Sequence, residues 1–245
     1  MFPPAEAAPT PRPVLPFDRL GAMLEVVLCS GFPTQLLLIG VLRGFGMPMR
    51  GVEGGLNPSF VFILSMLDAV LVVGLIVTLL HVHRESPRDV LLGRVRVFRE
   101  VLLGIALIPV AFGLVIVILA VVLSYVPELH NVARNPLEEM LRNRTDAAIF
   151  AVVVMIAGGV REEVQRGFIV HRFSQYLGGG VFGVLFYSLL FGLGHYEQGY
   201  DAAIATATLG ALWGFVYLGR RSVIAPVVSH AGFNLAQILK HLALR

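Results

Sequence analysis

Long apolar runs recur along this 245-residue chain and constrain its fold more than any other feature of the sequence. Several of these runs approach the roughly 20 residues that an α-helix needs to cross a lipid bilayer. Only 14% of the residues are charged, whereas a soluble domain usually has about 25%. Because a soluble core cannot hide this much apolar surface, the sequence predicts helices packed within a membrane.

The apolar runs predict an all-α, polytopic transmembrane helix bundle with about seven membrane helices, in a range of roughly six to eight. The predicted segments cover residues 20–42, 58–80, 101–126, 147 through the charged cluster at 161–166, 180–195, 202–218 and 223–244. Pro33 is expected to kink the first segment. The last four segments are shorter and richer in glycine and polar residues, which favours helices that face each other rather than lipid.

Outside the helices, the sequence divides into a tail and one membrane domain. Residues 1–16 are proline-rich and are predicted to be disordered or extended. Residues 17–245 are interpreted as a single membrane domain, whose catalytic core is expected at about residues 147–245. Arginines prevail over lysine and the loops are short, so we expect the bacterial inner (cytoplasmic) membrane. The sequence has no basic cluster interleaved with aromatic residues, so we expect no nucleic-acid partner. The expected surroundings are the lipid bilayer.

Polar clusters interrupt three of the last four predicted segments. An ionisable residue at the bilayer centre costs on the order of 2.5–3.5 kcal/mol, so such residues persist mainly where they face a cavity or one another. The first cluster runs from Arg161 through Glu162 and Glu163 to Arg166. The second ends at His195, and the third contains His230 and Asn234, which share a helix face.

Each cluster alone also has a plainer interpretation. The charged run can end a helix at the membrane face, His195 can be an interfacial histidine, and His230 with Asn234 can form hydrogen bonds between helices. It is less probable that all three plainer interpretations hold at once than that the three clusters share one cavity. Carboxylates, two imidazoles and an amide are the groups needed to activate water and to stabilise an oxyanion. The nearby Ser188 and Ser229 lack the glycine context of a nucleophilic serine.

Taken in order, the clusters resemble the motifs of the CPBP family of intramembrane proteases, which includes the CAAX prenyl endopeptidases and the bacterial Abi-type proteins. The resemblance covers roughly residues 147–234. It implies that one glutamate of the pair, Glu162 or Glu163, is the general base on the attacking water, and that Arg166 positions the pair. The family motif is EExxxR, whereas only Val164 and Gln165 separate the glutamates from the arginine here. We favour Glu162 as the base.

The resemblance implies further roles in the other two clusters. His195 would bind and orient the water, while His230 and Asn234 would stabilise the tetrahedral oxyanion. The family has been described both with and without a metal. A divalent metal such as zinc would take Glu162, His195 and His230 as ligands. Because the sequence lacks the HExxH motif of soluble zinc proteases, we favour a site without metal or other cofactor.

An intramembrane endopeptidase of glutamic type is therefore the leading hypothesis, with a membrane-tethered peptide or protein as its substrate. Phe168, Phe191 and Phe233 are expected to shape a groove for an apolar substrate. One alternative is a non-catalytic membrane scaffold or immunity protein with the same fold. Another is a small proton-coupled transporter, although no inverted repeat links the two halves of the chain.

Overall fold

The computed structural model describes residues 14–51, 54–133, 135–137 and 140–243. Regular structure in these ranges is helical, apart from one isolated bridge between Arg50 and Leu56. The α-helices are α1 (Pro16–Leu28), α2 (Phe32–Gly44), α3 (Pro58–Val82), α4 (Val97–Tyr125), α5 (Arg144–Val153), α6 (Glu162–Tyr176), α7 (Gly180–Leu193), α8 (Tyr200–Arg220) and α9 (Ile224–Ala243). The predicted tail lies outside these ranges except for residues 14–16, and Pro16 already begins α1.

Within the described ranges, three helices, α3, α4 and α8, are long and apolar enough to cross a membrane, and α1 with α2 forms a fourth candidate span. The outer face of α4 exposes apolar side chains such as Leu102, Ile105, Ile116 and Val117, as expected for contact with lipid. The prediction of an all-α membrane protein is confirmed. The predicted number of about seven membrane helices is not confirmed by these criteria and stays a prediction.

The first predicted segment is broken into two helices that meet at 41°. The break falls at Gly31, whose φ of +86° is a left-handed conformation that favours glycine. Pro33 lies in the first turn of α2, where its missing N–H removes no helical hydrogen bond. The predicted kink at Pro33 is therefore wrong in its position, because the chain bends just before the proline.

The fourth predicted segment is one long helical stretch made of three parts. It begins at Arg144, three residues before the predicted start, and the side chain of Asn143 caps it by accepting from the N–H of Asp146 at 2.8 Å. A π-helical segment, Val154–Arg161, joins α5 to α6. Such wide turns are often found at functional sites, and this one ends directly before Glu162.

Two glycines in the π-helical segment allow α9 to approach closely. A Cβ atom on Gly158 would lie 2.7 Å from Nδ2 of Asn234, and one on Gly159 would lie 2.7 Å from Cβ of Ala231. Close contacts between small residues are a common means of packing helices in membranes. They set the distance between the glutamates at the start of α6 and the polar residues of α9.

Candidate active site

A cavity of about 320 Å³ lies between α3, α5, the π-helical segment, α7, α8 and α9, and we call it the larger cavity. Its polar wall includes Glu162, His195, His230 and Asn234. These residues come from all three polar clusters of the sequence. Its apolar wall includes Val61, Phe150, Phe191, Trp213, Phe233 and Ile238. The volume and the mixture of apolar walls with a few polar groups are typical of a ligand site.

Glu163 is the buried member of the glutamate pair. Its carboxylate forms an ion pair with the guanidinium of Arg166, three residues further along α6, and only 1% of either side chain is exposed. The same oxygen, Oε1, lies 2.8 Å from Nδ1 of His230 on α9. Because a carboxylate only accepts, Nδ1 of His230 carries the proton of this hydrogen bond.

Glu162 has a different environment, although it is the next residue in the chain. Its side chain is 18% exposed, and its Oε2 atom lies 3.8 Å from Nε2 of His230. It lines the larger cavity, which Glu163 does not. One carboxylate is thus held by an arginine and a histidine, while the other faces open space.

Aromatic rings hold the imidazole of His230 in place. The indole of Trp213 on α8 stacks on it with centroids 3.9 Å apart and planes at 18°. The Nε1–H group of Trp213 donates to Oγ of Ser229 at 3.1 Å, so the indole is itself fixed to α9. The ring of Phe191 is nearly perpendicular to the imidazole, with centroids 6.3 Å apart. The imidazole therefore has little freedom to turn.

His195 lies two residues beyond the end of α7, in a turn rather than in the helix. Its Nδ1 atom lies 2.8 Å from the carbonyl oxygen of Phe191, which fixes the proton on Nδ1. In the neutral ring, Nε2 is then an acceptor. Glu197, which follows closely in sequence, contacts Tyr196 at 3.4 Å instead of orienting this histidine.

Asn234 and Phe233 of α9 line the larger cavity together with Phe191. Phe168 does not: it is fully buried in the core, and the guanidinium of Arg172 lies over its ring. Phe168 therefore lies outside the cavity whose wall it was expected to shape. The spacing of apolar residues along a helix cannot distinguish a phenylalanine of the core from one that lines the cavity, because both positions are largely apolar.

Several residues of the larger cavity were not predicted as site residues. The loop before α5 contributes Asn135, whose side-chain amide donates to Oε1 of Gln198 at 3.2 Å across the cavity wall. Trp213 also lines the cavity, and nothing in the sequence indicated that it would stack on His230. Both contacts join different segments of the chain, and neither belongs to a motif.

A second cavity of about 130 Å³, the smaller cavity, lies on the other side of Glu162. Glu162, Phe191 and His195 line both cavities. Its remaining wall comes from the break between α1 and α2, from α7, and from Arg161 and Gln165. The guanidinium of Arg161 forms a buried ion pair with Asp68 of α3.

Metal-binding geometry is not found in the described part of the chain. No three histidine, cysteine, aspartate or glutamate side chains there are placed to hold a metal ion. Glu162, His195 and His230 line one cavity without forming such a group. The residues present therefore do not fit a zinc centre of the usual kind, which needs at least three convergent protein ligands.

The fold and the cavity define a helical integral membrane protein with an embedded site of carboxylates, imidazoles and an amide. A family model described as "Type II CAAX prenyl endopeptidase Rce1-like" matches residues 144–236. This range includes every predicted catalytic residue and confirms the resemblance noted from the sequence motifs. The match supports a peptidase similar to the CAAX proteases. No curated protein and no solved structure matched the chain.

Proposed function

We propose that this protein is an intramembrane endopeptidase in which Glu162 activates a water molecule to hydrolyse a peptide bond near the membrane face. The observation that carries the proposal is the contrast between two adjacent carboxylates. Glu163 is buried and engaged by Arg166 and His230, whereas Glu162 borders the cavity. A general base needs access to the proton that it takes, and only Glu162 has it.

The two acceptors beside the larger cavity explain how water would be oriented. A water molecule that donates one hydrogen to Nε2 of His195 and the other to the carboxylate of Glu162 presents a lone pair to a carbonyl carbon. As the oxygen attacks, its proton passes to Glu162 and the carbonyl oxygen becomes an oxyanion. Glu162 then returns the proton to the nitrogen of the leaving amine, the C–N bond breaks, and a carboxylic acid and an amine form, between which the acid proton passes to give a carboxylate and an ammonium group.

Asn234 and His230 are the donors proposed for the oxyanion. The amide Nδ2 of Asn234 and the Nε2 atom of His230 belong to one face of α9, and both residues line the larger cavity. Donation from Nε2 of His230 requires a hydrogen on that nitrogen in addition to the one that Nδ1 gives to Glu163. Fixed donors in a water-poor site are among the largest contributions to catalysis.

The larger cavity also suggests the kind of substrate. Its aromatic and aliphatic wall suits an extended, mainly apolar peptide segment that reaches the site from the bilayer. We propose a membrane-tethered peptide or protein, and the family description makes a prenylated peptide one member of the class to test. The bacterial inner membrane remains the proposed location.

A metal-free mechanism is part of the proposal. It is supported by the lack of a convergent set of three ligands among the described residues.

The test is cleavage of a library of membrane-tethered peptides, with and without prenyl groups, by the purified protein and by His195→Ala. Products are identified by mass spectrometry, with and without a chelator. We expect cleavage by the wild type that survives the chelator and is lost in His195→Ala. Loss with the chelator would overturn the metal-free mechanism. Cleavage that persists in His195→Ala would overturn the assignment of the active site. Absence of cleavage of every peptide would favour a scaffold or a transporter.

A further inference from the structure

The smaller cavity lies at the middle of the broken span formed by α1 and α2. Ser30 and Gly31, at the break, contribute to its wall, and Tyr187 and Leu190 of α7 lie on the same wall. Its volume of about 130 Å³ would hold roughly four water molecules at the volume of liquid water. Because Glu162 and His195 line both cavities, they lie between this space and the larger cavity, whose volume is more than twice as great.

About half of the residues that line the smaller cavity are polar or charged. Glu162, His195, Arg161, Gln165 and Ser30 all contribute to its wall. Such a space is stable when it is hydrated, because each polar group then keeps its hydrogen bonds. An apolar ligand would leave the carboxylate and the buried ion pair without solvation.

Charge and hydrogen bonding distinguish water from an anion. Asp68 already neutralises Arg161, so no net positive charge remains to attract a carboxylate or a phosphate. Glu162 lines the same cavity, so an anion there would lie against a carboxylate. Water can donate to that carboxylate and accept from the hydroxyl of Ser30, whereas an anion can only accept.

We infer that the smaller cavity is a water compartment, from which Glu162 and His195 draw the hydrolytic water, while the larger cavity receives the peptide. This inference rests on the proposed function. It explains how a site walled by apolar helices obtains a second substrate, water, which the lipid does not supply. It also places the base and the orienting histidine at the boundary where water and peptide meet.

The first test measures hydration and does not depend on activity. Cys29 is the only cysteine and is fully buried, so Cys29→Ala removes the native thiol. In that background, Ser30→Cys places a thiol on the smaller cavity, and Leu28→Cys places one at similar depth on an exposed apolar position. A small, charged methanethiosulfonate reagent is added to the protein in liposomes. Since the thiolate is the reactive form and needs water, we expect Ser30→Cys to react at least about tenfold faster.

The second test uses a cleaved peptide. Ser30→Leu fills the smaller cavity, and Leu28→Met is the matched control. We expect kcat to fall about tenfold in Ser30→Leu at unchanged KM, because water and not peptide is excluded. A raised KM at unchanged kcat would mean that the peptide occupies this cavity, and no change would mean that it is not on the reaction path. Either result overturns the inference.

The two tests separate the inference from the function on which it rests. If no peptide is cleaved, the proposed function fails, but the labelling experiment still decides whether the cavity is hydrated. Equal labelling of Ser30→Cys and Leu28→Cys would overturn the water compartment even if peptides are cleaved.

Discussion

His230 donates from Nδ1 to Oε1 of Glu163 at 2.8 Å, which joins α9 to the start of α6 through one buried hydrogen bond. The same glutamate balances the buried charge of Arg166. Glu163 is therefore a positioning residue that holds the imidazole, and Glu162 is left for the chemistry. This division of roles between adjacent glutamates leads to the first prediction.

Glu163→Gln is expected to destabilise the protein, whereas Glu162→Gln is not. The first substitution leaves Arg166 as a buried charge without its counterion, and breaking a buried ion pair costs about 3–5 kcal/mol. The second removes a partly exposed carboxylate whose nearest charged partner is 3.8 Å away. Thermal unfolding in detergent measures both. Equal melting temperatures for the two variants would contradict the assigned roles.

Gly158→Ala is expected to reduce kcat by about ten- to a hundredfold, because the added methyl group displaces the side chain of Asn234. Loss of one oxyanion donor typically costs about 10²–10³ in kcat. Its Cβ would lie only 2.7 Å from Nδ2 of that asparagine. Gly113→Ala in α4 is the matched control, since nothing lies within 4 Å of its Cβ. The measurement compares the peptide cleavage rates of the two variants. Equal losses in both would show that Asn234 is not an oxyanion donor.

Gly31→Ala is expected to lower the free energy of unfolding. A left-handed residue with a side chain costs roughly 1–2 kcal/mol, and the new methyl group would also collide with the guanidinium of Arg161. Gly40→Ala, in the middle of α2 with open space around it, should be neutral or stabilising. Denaturant unfolding in detergent measures both. A Gly31→Ala variant as stable as the wild type would show that the break tolerates other conformations.

The location of the helices could be predicted, because long apolar runs need no tertiary information to be interpreted. The sequence also indicated the polar residues that share the larger cavity, since ionisable groups within apolar segments are rare for a physical reason. The division of roles between Glu162 and Glu163 could not be derived, because it depends on which carboxylate Arg166 engages. Neither could the stacking of Trp213 on His230, nor the core position of Phe168, since both depend on how packed helices face each other.

A cluster at the other end of α6 predicts how stability depends on pH. Burial raises the pKa of Glu85, but hydrogen bonds from His171, Gln175 and Arg172 outweigh this effect and lower the pKa to about 2. In the unfolded chain this carboxyl titrates near its ordinary value of 4.5. The unfolded state then binds the proton first as the pH falls, so the stabilisation is complete above pH 4.5 and is lost between 4.5 and about 2.

Glu85→Gln should therefore flatten the loss of stability in this pH window relative to the wild type. Asp89→Asn is the matched control, because its carboxylate pairs with Arg94 on an exposed surface. Unfolding midpoints in detergent across this pH range measure the difference. The same slope in wild type and Glu85→Gln would show that another carboxylate controls the acid transition.

The central claim is that Glu162 is the general base, and the most direct measurement is the single-turnover cleavage rate of a peptide substrate by Glu162→Gln beside the wild type. Glu197→Gln, a carboxylate that lines neither cavity, is the control. Because positioned general bases contribute about 10²–10⁴ in rate, we expect a loss of this size in Glu162→Gln, with unchanged peptide binding and folding, and none in Glu197→Gln. A Glu162→Gln variant that cleaves within a few fold of the wild type would contradict the account.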